Sequence, residues 1–211
     1  FFLETARPLY GGRKNQWKHI LKNFSFIIIN NVMFFLVFSA LTTYIFSLVE
    51  GKNIGLVYLW DMPPLMRFIV IILLFDLWMY IWHVMVHRIP LLWRFHRMHH
   101  SDPAMDASTA LRFHPGEIFA STILRWGVFL AVGISAYDLL LYEAIMLPVI
   151  LFHHSNYYIP EKYDKILRQV IVTPWMHWVH HSRRSKELNS NYGTIFSWWD
   201  RLFASFRLRQ D

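Results

Sequence analysis

The sequence predicts an all-α integral membrane protein with about four transmembrane helices, and three observations support this fold class. Of the 211 residues, 55% are hydrophobic and 18% are aromatic, which exceeds the apolar share of a typical soluble domain. Four long apolar stretches alternate with polar, basic segments. The histidines are numerous and unevenly distributed, since eleven of the twelve lie between His83 and His181.

The apolar stretches are long enough to cross a bilayer, because a helix rises about 1.5 Å per residue and the hydrocarbon core is about 30 Å thick. Pro63 and Pro64 mark the start of the second stretch. Gly133, Ser135 and Asp138 form the only evident turn in the last apolar region, which we interpret as a helical hairpin. The predicted spans cover about residues 24–49, 64–86, 118–134 and 138–153.

The basic residues predict which side of the membrane each segment occupies. Lysine and arginine collect in short cytoplasmic loops, and here only Lys52 lies between the first two spans. We therefore expect residues 87–117 and 154–211 to form a metal-binding cap on the cytoplasmic face of a bacterial inner membrane or the endoplasmic reticulum. A membrane surface also explains the net charge of +7 better than nucleic acid does. The N-terminal basic residues on the same side are Arg7, Arg13, Lys14, Lys18 and Lys22.

The whole chain, residues 1–211, is predicted to form a single domain, since no linker, repeat or low-complexity tract divides it. It contains no cysteine, which excludes disulfides, thiolate metal ligands and cysteine nucleophiles. Any metal that the chain binds must therefore be held by nitrogen or oxygen.

Ten of the histidines form four short groups. In HVMVH, HRMHH and HWVHH the imidazoles are three or four residues apart, so on a helix each group projects from one face. Pro90 and Pro103 end the segments that carry the first two groups, and Thr173 with Pro174 is typical of a helix start before the third. The remaining group is the adjacent pair in FHHSN. The grouped residues are His83, His87, His96, His99, His100, His153, His154, His177, His180 and His181.

Asp76 and Tyr80 share one stripe of the second span with His83 and His87. An ionisable residue inside an apolar span indicates a functional site, and a metal-bound imidazole commonly donates its other N–H to a neighbouring oxygen. Asp76 and Tyr80 are therefore predicted to orient histidine ligands. His19, by contrast, is interpreted as an ordinary polar residue at the membrane interface.

The histidine groups predict two metal ions. Burying eight unmatched imidazoles in an apolar site would cost about 2–7 kcal/mol each, more than the ~5–15 kcal/mol of net stability of a domain. Zinc sites use three or four protein ligands, so eight histidines are too many for one ion. Imidazole suits iron, zinc, copper and nickel, and attack on a lipid C–H bond requires a redox metal with dioxygen. Two redox-active metal ions are the leading hypothesis, and a bis-histidine haem protein, a metal transporter and a zinc-loaded site are the alternatives.

At these residues the sequence resembles the fatty acid hydroxylase and sterol desaturase superfamily of integral-membrane di-iron enzymes. The family pattern HxxxH, HxxHH and a distant HxxHH stands here at 83–87, 96–100 and 177–181. Ala204 and Ser205 stand where the family usually has glycine and threonine. Further matching segments are RFHPGE (112–117), HSN (154–156), NYG (191–193) and WWDRLF (198–203).

The resemblance implies that the eight pattern histidines bind two iron ions and that His154 is a ninth ligand. His153, His114 and Asn156 are then candidates for a further ligand or a neighbour of the ligands. The resemblance also implies four transmembrane helices beneath a cytosolic helical cap, with dioxygen as oxidant and electrons from a reductase with cytochrome b5 or ferredoxin. Family substrates include fatty acyl chains, sterols, sphingolipids and alkylglycerols, and the same motifs serve hydroxylation and desaturation.

Overall fold

The computed structural model describes residues 1–11 and 16–209, so Arg13 and Lys14 of the basic N-terminal segment lie outside the described residues. The described residues form helices and connecting loops with no β-strand, and the only β contacts among them are two isolated β-bridges, Pro8 with Tyr157 and Ile171 with Phe196. This architecture confirms the predicted fold class. In chain order the helices are α1 (Phe2–Ala6), α2 (Gln16–Lys52), α3 (Pro64–Arg88), α4 (Pro90–His100), α5 (Pro115–Val132), α6 (Ala136–His154), α7 (Glu161–Leu167), α8 (Pro174–His180), α9 (Ser185–Leu188) and α10 (Trp198–Leu202).

Proline marks the start of five of these helices, in the first turn of four of them and in the N-cap position of the fifth. Pro64, Pro90, Pro115 and Pro174 each occupy the first turn, where a missing backbone N–H costs nothing. Ile89, the residue before Pro90, is extended, as the steric effect of a following proline requires. The break between α3 and α4 turns the chain so that α4 crosses the end of α3. Glu161, at the start of α7, follows Pro160 in the N-cap position.

The turn predicted near Gly133 is present, and it connects α5 to α6. Gly133 has φ 90°, a left-handed conformation that glycine adopts without strain. Ser135 and Asp138 then form a reciprocal capping box, since the Asp138 N–H donates to Ser135 Oγ at 3.1 Å and the Ser135 N–H donates to Asp138 Oδ2 at 3.0 Å. Arg67 of α3 also pairs with Asp138 at 2.9 Å. These bonds fix the end of the bundle that is remote from the histidines.

Among the described residues, three helices are long and apolar enough to cross a membrane: α2, α3 and α6. Much of the apolar surface of α2 is exposed, including Phe35 at 70% and Leu36 at 74%, which is expected of a face in contact with lipid. The helix begins at Gln16, well before residue 24, so it extends beyond the predicted first span. The predicted third span, α5, is 18 residues long but is not among these three helices.

The core of the bundle lies where α2, α3, α5 and α6 pack together. Phe75 contacts Phe129 and Tyr142, with ring centroids 5.7 and 4.7 Å apart. The last turns of α3 and α6 carry histidines, and α4 packs on α3 while α8 packs on α6. The two spans and the two short cap helices therefore bring all four histidine groups to one end of the bundle.

Candidate metal centre

Nine histidines lie in two adjacent groups, each of which could hold a metal ion. Within each group, one ring nitrogen per residue lies within 4.8 Å of the corresponding nitrogen of every other member. The groups adjoin each other, since the rings of His100 and His181 stack with centroids 4.3 Å apart. Group one comprises His83, His87, His96, His100 and His180, and group two comprises His99, His154, His177 and His181.

The nitrogens that face each other have the separation of ligands on one ion. In group two, His154 Nε2 lies 3.1 Å from His99 Nε2 and 2.9 Å from His177 Nε2, and His181 Nε2 lies 3.2 Å from His177 Nε2. In group one, the Nε2 atoms of His87 and His100 are 3.1 Å apart. Nitrogens about 2.0 to 2.1 Å from one metal are about 2.8 to 3.0 Å apart in octahedral coordination and about 3.3 to 3.4 Å apart in tetrahedral coordination, so the observed separations fall within the range for ligands of one ion.

Hydrogen bonds from Nδ1 orient four of these rings. His83 donates to the Tyr192 carbonyl at 2.9 Å, and His180 donates to the Ser190 carbonyl at 2.7 Å. His154 donates to the Ile150 carbonyl at 2.7 Å. A carbonyl can only accept, so each of these rings carries its proton on Nδ1 and has a lone pair on Nε2.

His96 is the fourth oriented ring, because its Nδ1 bonds to Glu117 Oε1 at 2.9 Å. The Nε2 atoms of His83, His96 and His180 are buried with no hydrogen-bond partner in the described chain. An acceptor nitrogen buried in this way is costly, whereas a metal ion would satisfy it. The donor set, imidazole nitrogens oriented by oxygen partners, fits the arrangement found around protein-bound metals.

The environment favours the neutral form of five histidines of the cap. Burial lowers the pKa of these imidazoles well below the usual value, and the neighbouring histidines lower it further. A neutral imidazole is the form that binds metal. The cap histidines with a lowered pKa are His99, His100, His177, His180 and His181.

A cavity of about 170 Å³ extends from the histidines into the helical bundle. Its walls between α3, α5 and α6 are mainly apolar and include Met79, Ile118, Met146 and Ile150. Pockets that bind whole ligands of drug size measure about 300–1,000 Å³, so this cavity has room for only part of a lipid. The members of the two groups that line it are His83, His96, His99, His154 and His177.

Asp76 and Tyr80 do not orient histidines, so that prediction is wrong. Asp76 is fully buried and accepts four hydrogen bonds, from the Tyr142 hydroxyl, the Ile195 and Phe196 N–H groups and Trp199 Nε1, at 2.9 to 3.1 Å. It lies on the same stripe as His83 but about 10 Å before it along the helix, too far for direct contact. The Tyr80 hydroxyl bonds instead to Ser205 Oγ at 2.8 Å.

The other predicted candidates lie outside both groups. His153 is buried beside His177, with ring centroids 4.1 Å apart, and lines the cavity. His114 caps α5, since its Nδ1 accepts from the Gly116 N–H at 2.9 Å. Asn156 exchanges hydrogen bonds with the Tyr10 backbone at 2.8 and 2.9 Å and so ties down the N-terminal segment. These contacts give His114 and Asn156 structural roles.

Sequence reasoning missed the groups that orient the ligands. Glu117 is an acid at the start of an apolar helix, a signal that could have identified it. The carbonyls of Tyr192 and Ser190 carry no such signal, because any residue has a carbonyl. Asp200 positions Tyr192 by accepting its N–H at 2.7 Å and the Gly193 N–H at 2.9 Å. The NYG and WWDRLF segments are thereby joined around His83.

His19 forms more than a surface contact. Its Nε2 lies 2.8 Å from Asp102 Oδ1 and its Nδ1 lies 3.2 Å from Asp106 Oδ2. This cluster joins the start of α2 to the loop that follows α4. The interpretation of His19 as a satisfied polar residue holds, with two carboxylates as the partners.

Replacing Glu117 by alanine is expected to lower metal affinity by about 10- to 100-fold, because His96 would lose the acceptor that orients it. Glu117→Gln should have a smaller effect, since its amide oxygen can still accept from Nδ1. Competition with a coloured chelator during zinc titration of the purified protein would measure the metal affinity of both variants. Glu143→Ala, an exposed carboxyl change on α6, is the matched control, and equal affinity of Glu117→Ala and the unmodified chain would contradict this role.

The fold and the site define a helical membrane protein in which two adjacent histidine groups could each hold a metal ion. Residues 68–205, more than half of the chain, match the fatty acid hydroxylase family. The chain therefore belongs to the fatty acid hydroxylase family.

Several characterised enzymes are similar to this chain. Alkylglycerol monooxygenase of Caenorhabditis elegans is 28% identical over 158 residues, which are 70% of this chain and 28% of that protein. Human alkylglycerol monooxygenase is 28% identical over 138 residues, 64% of this chain and 29% of the enzyme. Human cholesterol 25-hydroxylase is 24% identical over 138 residues, 64% of this chain and 49% of the enzyme. The chain thus spans half or less of the length of these relatives, and no solved structure matches it.

Proposed function

We propose that this chain is a membrane-bound non-haem di-iron oxygenase that hydroxylates, or desaturates, a lipid. The observation that carries the proposal is the pair of histidine groups at one end of an apolar cavity. Membership of the fatty acid hydroxylase family and similarity to a monooxygenase and a hydroxylase of lipids support the same reaction class. In this proposal the nine grouped histidines are the metal ligands, and the metal site faces the cytoplasm.

In such a reaction, some residues of the chain would hold the metal ions and others would bind the lipid. Bound iron would supply the activation of dioxygen, with electrons delivered by a partner such as cytochrome b5 or ferredoxin with its reductase. Glu117 and the carbonyls of Tyr192, Ser190 and Ile150 hold the imidazoles in place, so little reorganisation is needed when ions bind. The apolar walls would receive a lipid chain and exclude water from the reacting carbon.

The geometry favours this function over the alternatives. A bis-histidine haem requires two imidazoles on opposite faces of a flat macrocycle, whereas His154 Nε2 lies 3.1 Å from His99 Nε2, which leaves no room for one between them. A transporter would place its ligands along a pathway through the membrane, whereas these gather at the ends of α3 and α6 and in the cap. Zinc fits the same nitrogens, so the identity of the metal needs a measurement.

Lipid extracts of cells that express the chain are expected to contain products one oxygen heavier, or two hydrogens lighter, than lipids of control cells. Mass spectrometry of the extracts would detect either change, and elemental analysis of protein purified without added metal would report iron against zinc. Cells that express a chain with both His99 and His180 replaced by alanine are the matched control. Identical lipid profiles in the two cultures, with iron bound to the unmodified protein and a competent reductase present, would refute the proposal.

A further inference from the structure

Arg125 of α5 is the only lysine or arginine among the residues that line the cavity. An ionised side chain is costly beside apolar helices, and where one occurs it usually marks the path or binding site of a substrate. Of the other ionisable side chains of the cavity wall, Glu117 and five histidines belong to the metal centre, and His153 lies against His177. Arg125 has no role in holding those histidines, so its presence needs a separate explanation.

The hydrogen-bonding capacity of Arg125 is largely unused. A guanidinium has five N–H donors, and in the described chain Arg125 donates one hydrogen bond, from Nη2 to Ser121 Oγ at 3.2 Å. The carboxylates of Glu143 and Glu117 attract it at longer range, but neither lies close enough to form a salt bridge with it. Several donors therefore remain available to a ligand.

The position of Arg125 gives the cavity two chemically different ends. Arg125 follows Glu117 by eight residues, about 12 Å along the helix axis, and Glu117 contacts His96 at the metal centre. Met146 and Ile150 of α6 and Met79 of α3 line the space between. The cavity thus has a cation at one end, the histidines at the other end and apolar walls between them. This arrangement matches an amphiphile whose polar group lies far from the reacting carbon.

We propose that Arg125 donates hydrogen bonds to an acceptor oxygen of the polar group of the lipid substrate and thereby sets which carbon reaches the histidine groups. The oxygen would belong to a carboxylate or a hydroxyl. The inference rests on the proposed function, because that function is what makes a lipid bound in the cavity a substrate. Its test measures binding alone, so it does not depend on turnover, bound metal or an electron donor.

The test compares three tritiated lipids of equal chain length, palmitate, hexadecanol and hexadecane, for binding to the metal-free protein in nanodiscs, with empty nanodiscs as background. We expect at least one of the two oxygen-bearing lipids to bind more tightly than hexadecane. Arg125→Met should reduce the ratio of the affinity for that lipid to the affinity for hexadecane by about tenfold or more, because hydrogen bonds to a charged group are lost. The affinity for hexadecane should be unchanged. A loss of affinity for palmitate would identify a carboxylate as the group that Arg125 binds, and a loss of affinity for hexadecanol would identify a hydroxyl.

Two further variants make the result specific. Arg125→Lys keeps the charge but not the planar fork of donors, so it should restore part of the lost affinity. Arg94→Met removes an exposed arginine of α4 and should bind all three lipids as the unmodified chain does. The proposal is overturned if the unmodified chain binds hexadecane as tightly as it binds palmitate and hexadecanol. It is also overturned if Arg125→Met binds those two lipids more tightly than hexadecane to the same extent as the unmodified chain does. Loss of hexadecane binding in Arg125→Met would likewise overturn it, since the residue would then act through the fold.

Discussion

Replacing either His99 or His180 by alanine is expected to abolish lipid oxidation while leaving the protein in the membrane. His99 belongs to group two and His180 to group one, so each change removes a nitrogen from a different ion site. The loss of turnover should be at least about a hundredfold, because loss of a mere orienting partner commonly costs 10- to 100-fold. Product analysis by mass spectrometry and elemental analysis of the purified variants would measure activity and bound metal together.

His114→Asn is the matched control for these variants. His114 lies in the same histidine-rich half of the chain, but it belongs to neither group and instead caps α5. Asparagine is also a good N-cap, so this variant should keep its metal, its stability and its activity. Normal product formation by His99→Ala or His180→Ala would show that the ligand assignment is wrong.

Replacing Asp76 by asparagine is expected to lower the free energy of unfolding by about 1–3 kcal/mol. In the less costly orientation of the amide, its oxygen accepts from the Phe196 N–H and Trp199 Nε1, while its NH₂ faces the Tyr142 hydroxyl, which can accept, and the Ile195 N–H, which loses its acceptor. Each buried donor left without an acceptor costs about 1–3 kcal/mol. Thermal unfolding of the purified variant in detergent, followed by tryptophan fluorescence, would measure the loss.

A smaller change to a hydrogen-bond partner of Asp76 separates this effect from general damage to the bundle. Tyr142→Phe removes only one of the four donors to Asp76, the hydroxyl bonded to Oδ1 at 2.9 Å, and should cost about 1 kcal/mol. A variant Asp76→Asn as stable as the unmodified chain would contradict the structural role of Asp76. The alternative role, in which Asp76 orients a histidine, predicts instead a loss of metal affinity with unchanged stability.

Patterns between near neighbours in the sequence predicted the helices and the histidine groups. Spacing of three or four residues on α4 and α8 places imidazoles on one face, and Pro64, Pro90 and Pro174 set helix starts by steric effects that act over one or two residues. The capping box of Ser135 and Asp138 is equally local. Such interactions depend on a few consecutive residues, so the sequence alone is sufficient to predict them.

Long-range contacts could not be predicted in the same way, as Asp76 shows. Its place on the stripe of His83 suggested a link to the metal centre, whereas its partners are Tyr142 of α6 and backbone groups at 195 and 196. A shared helix face does not imply contact when two turns intervene. Asn156 likewise adjoins His154 in sequence but bonds to Tyr10, because the N-terminal segment returns to the cap.

By itself, the sequence determined that the chain is a helical membrane protein, that any metal ligands must be nitrogen or oxygen, and which histidines are the candidate ligands. Composition and helical periodicity are properties of the chain alone. Only the tertiary structure decided how those histidines divide into two groups, which oxygens orient their rings, and that Arg125 lines the same cavity as the histidines. These relations join residues far apart in the chain, and packing of α3, α5, α6 and the cap brings them together.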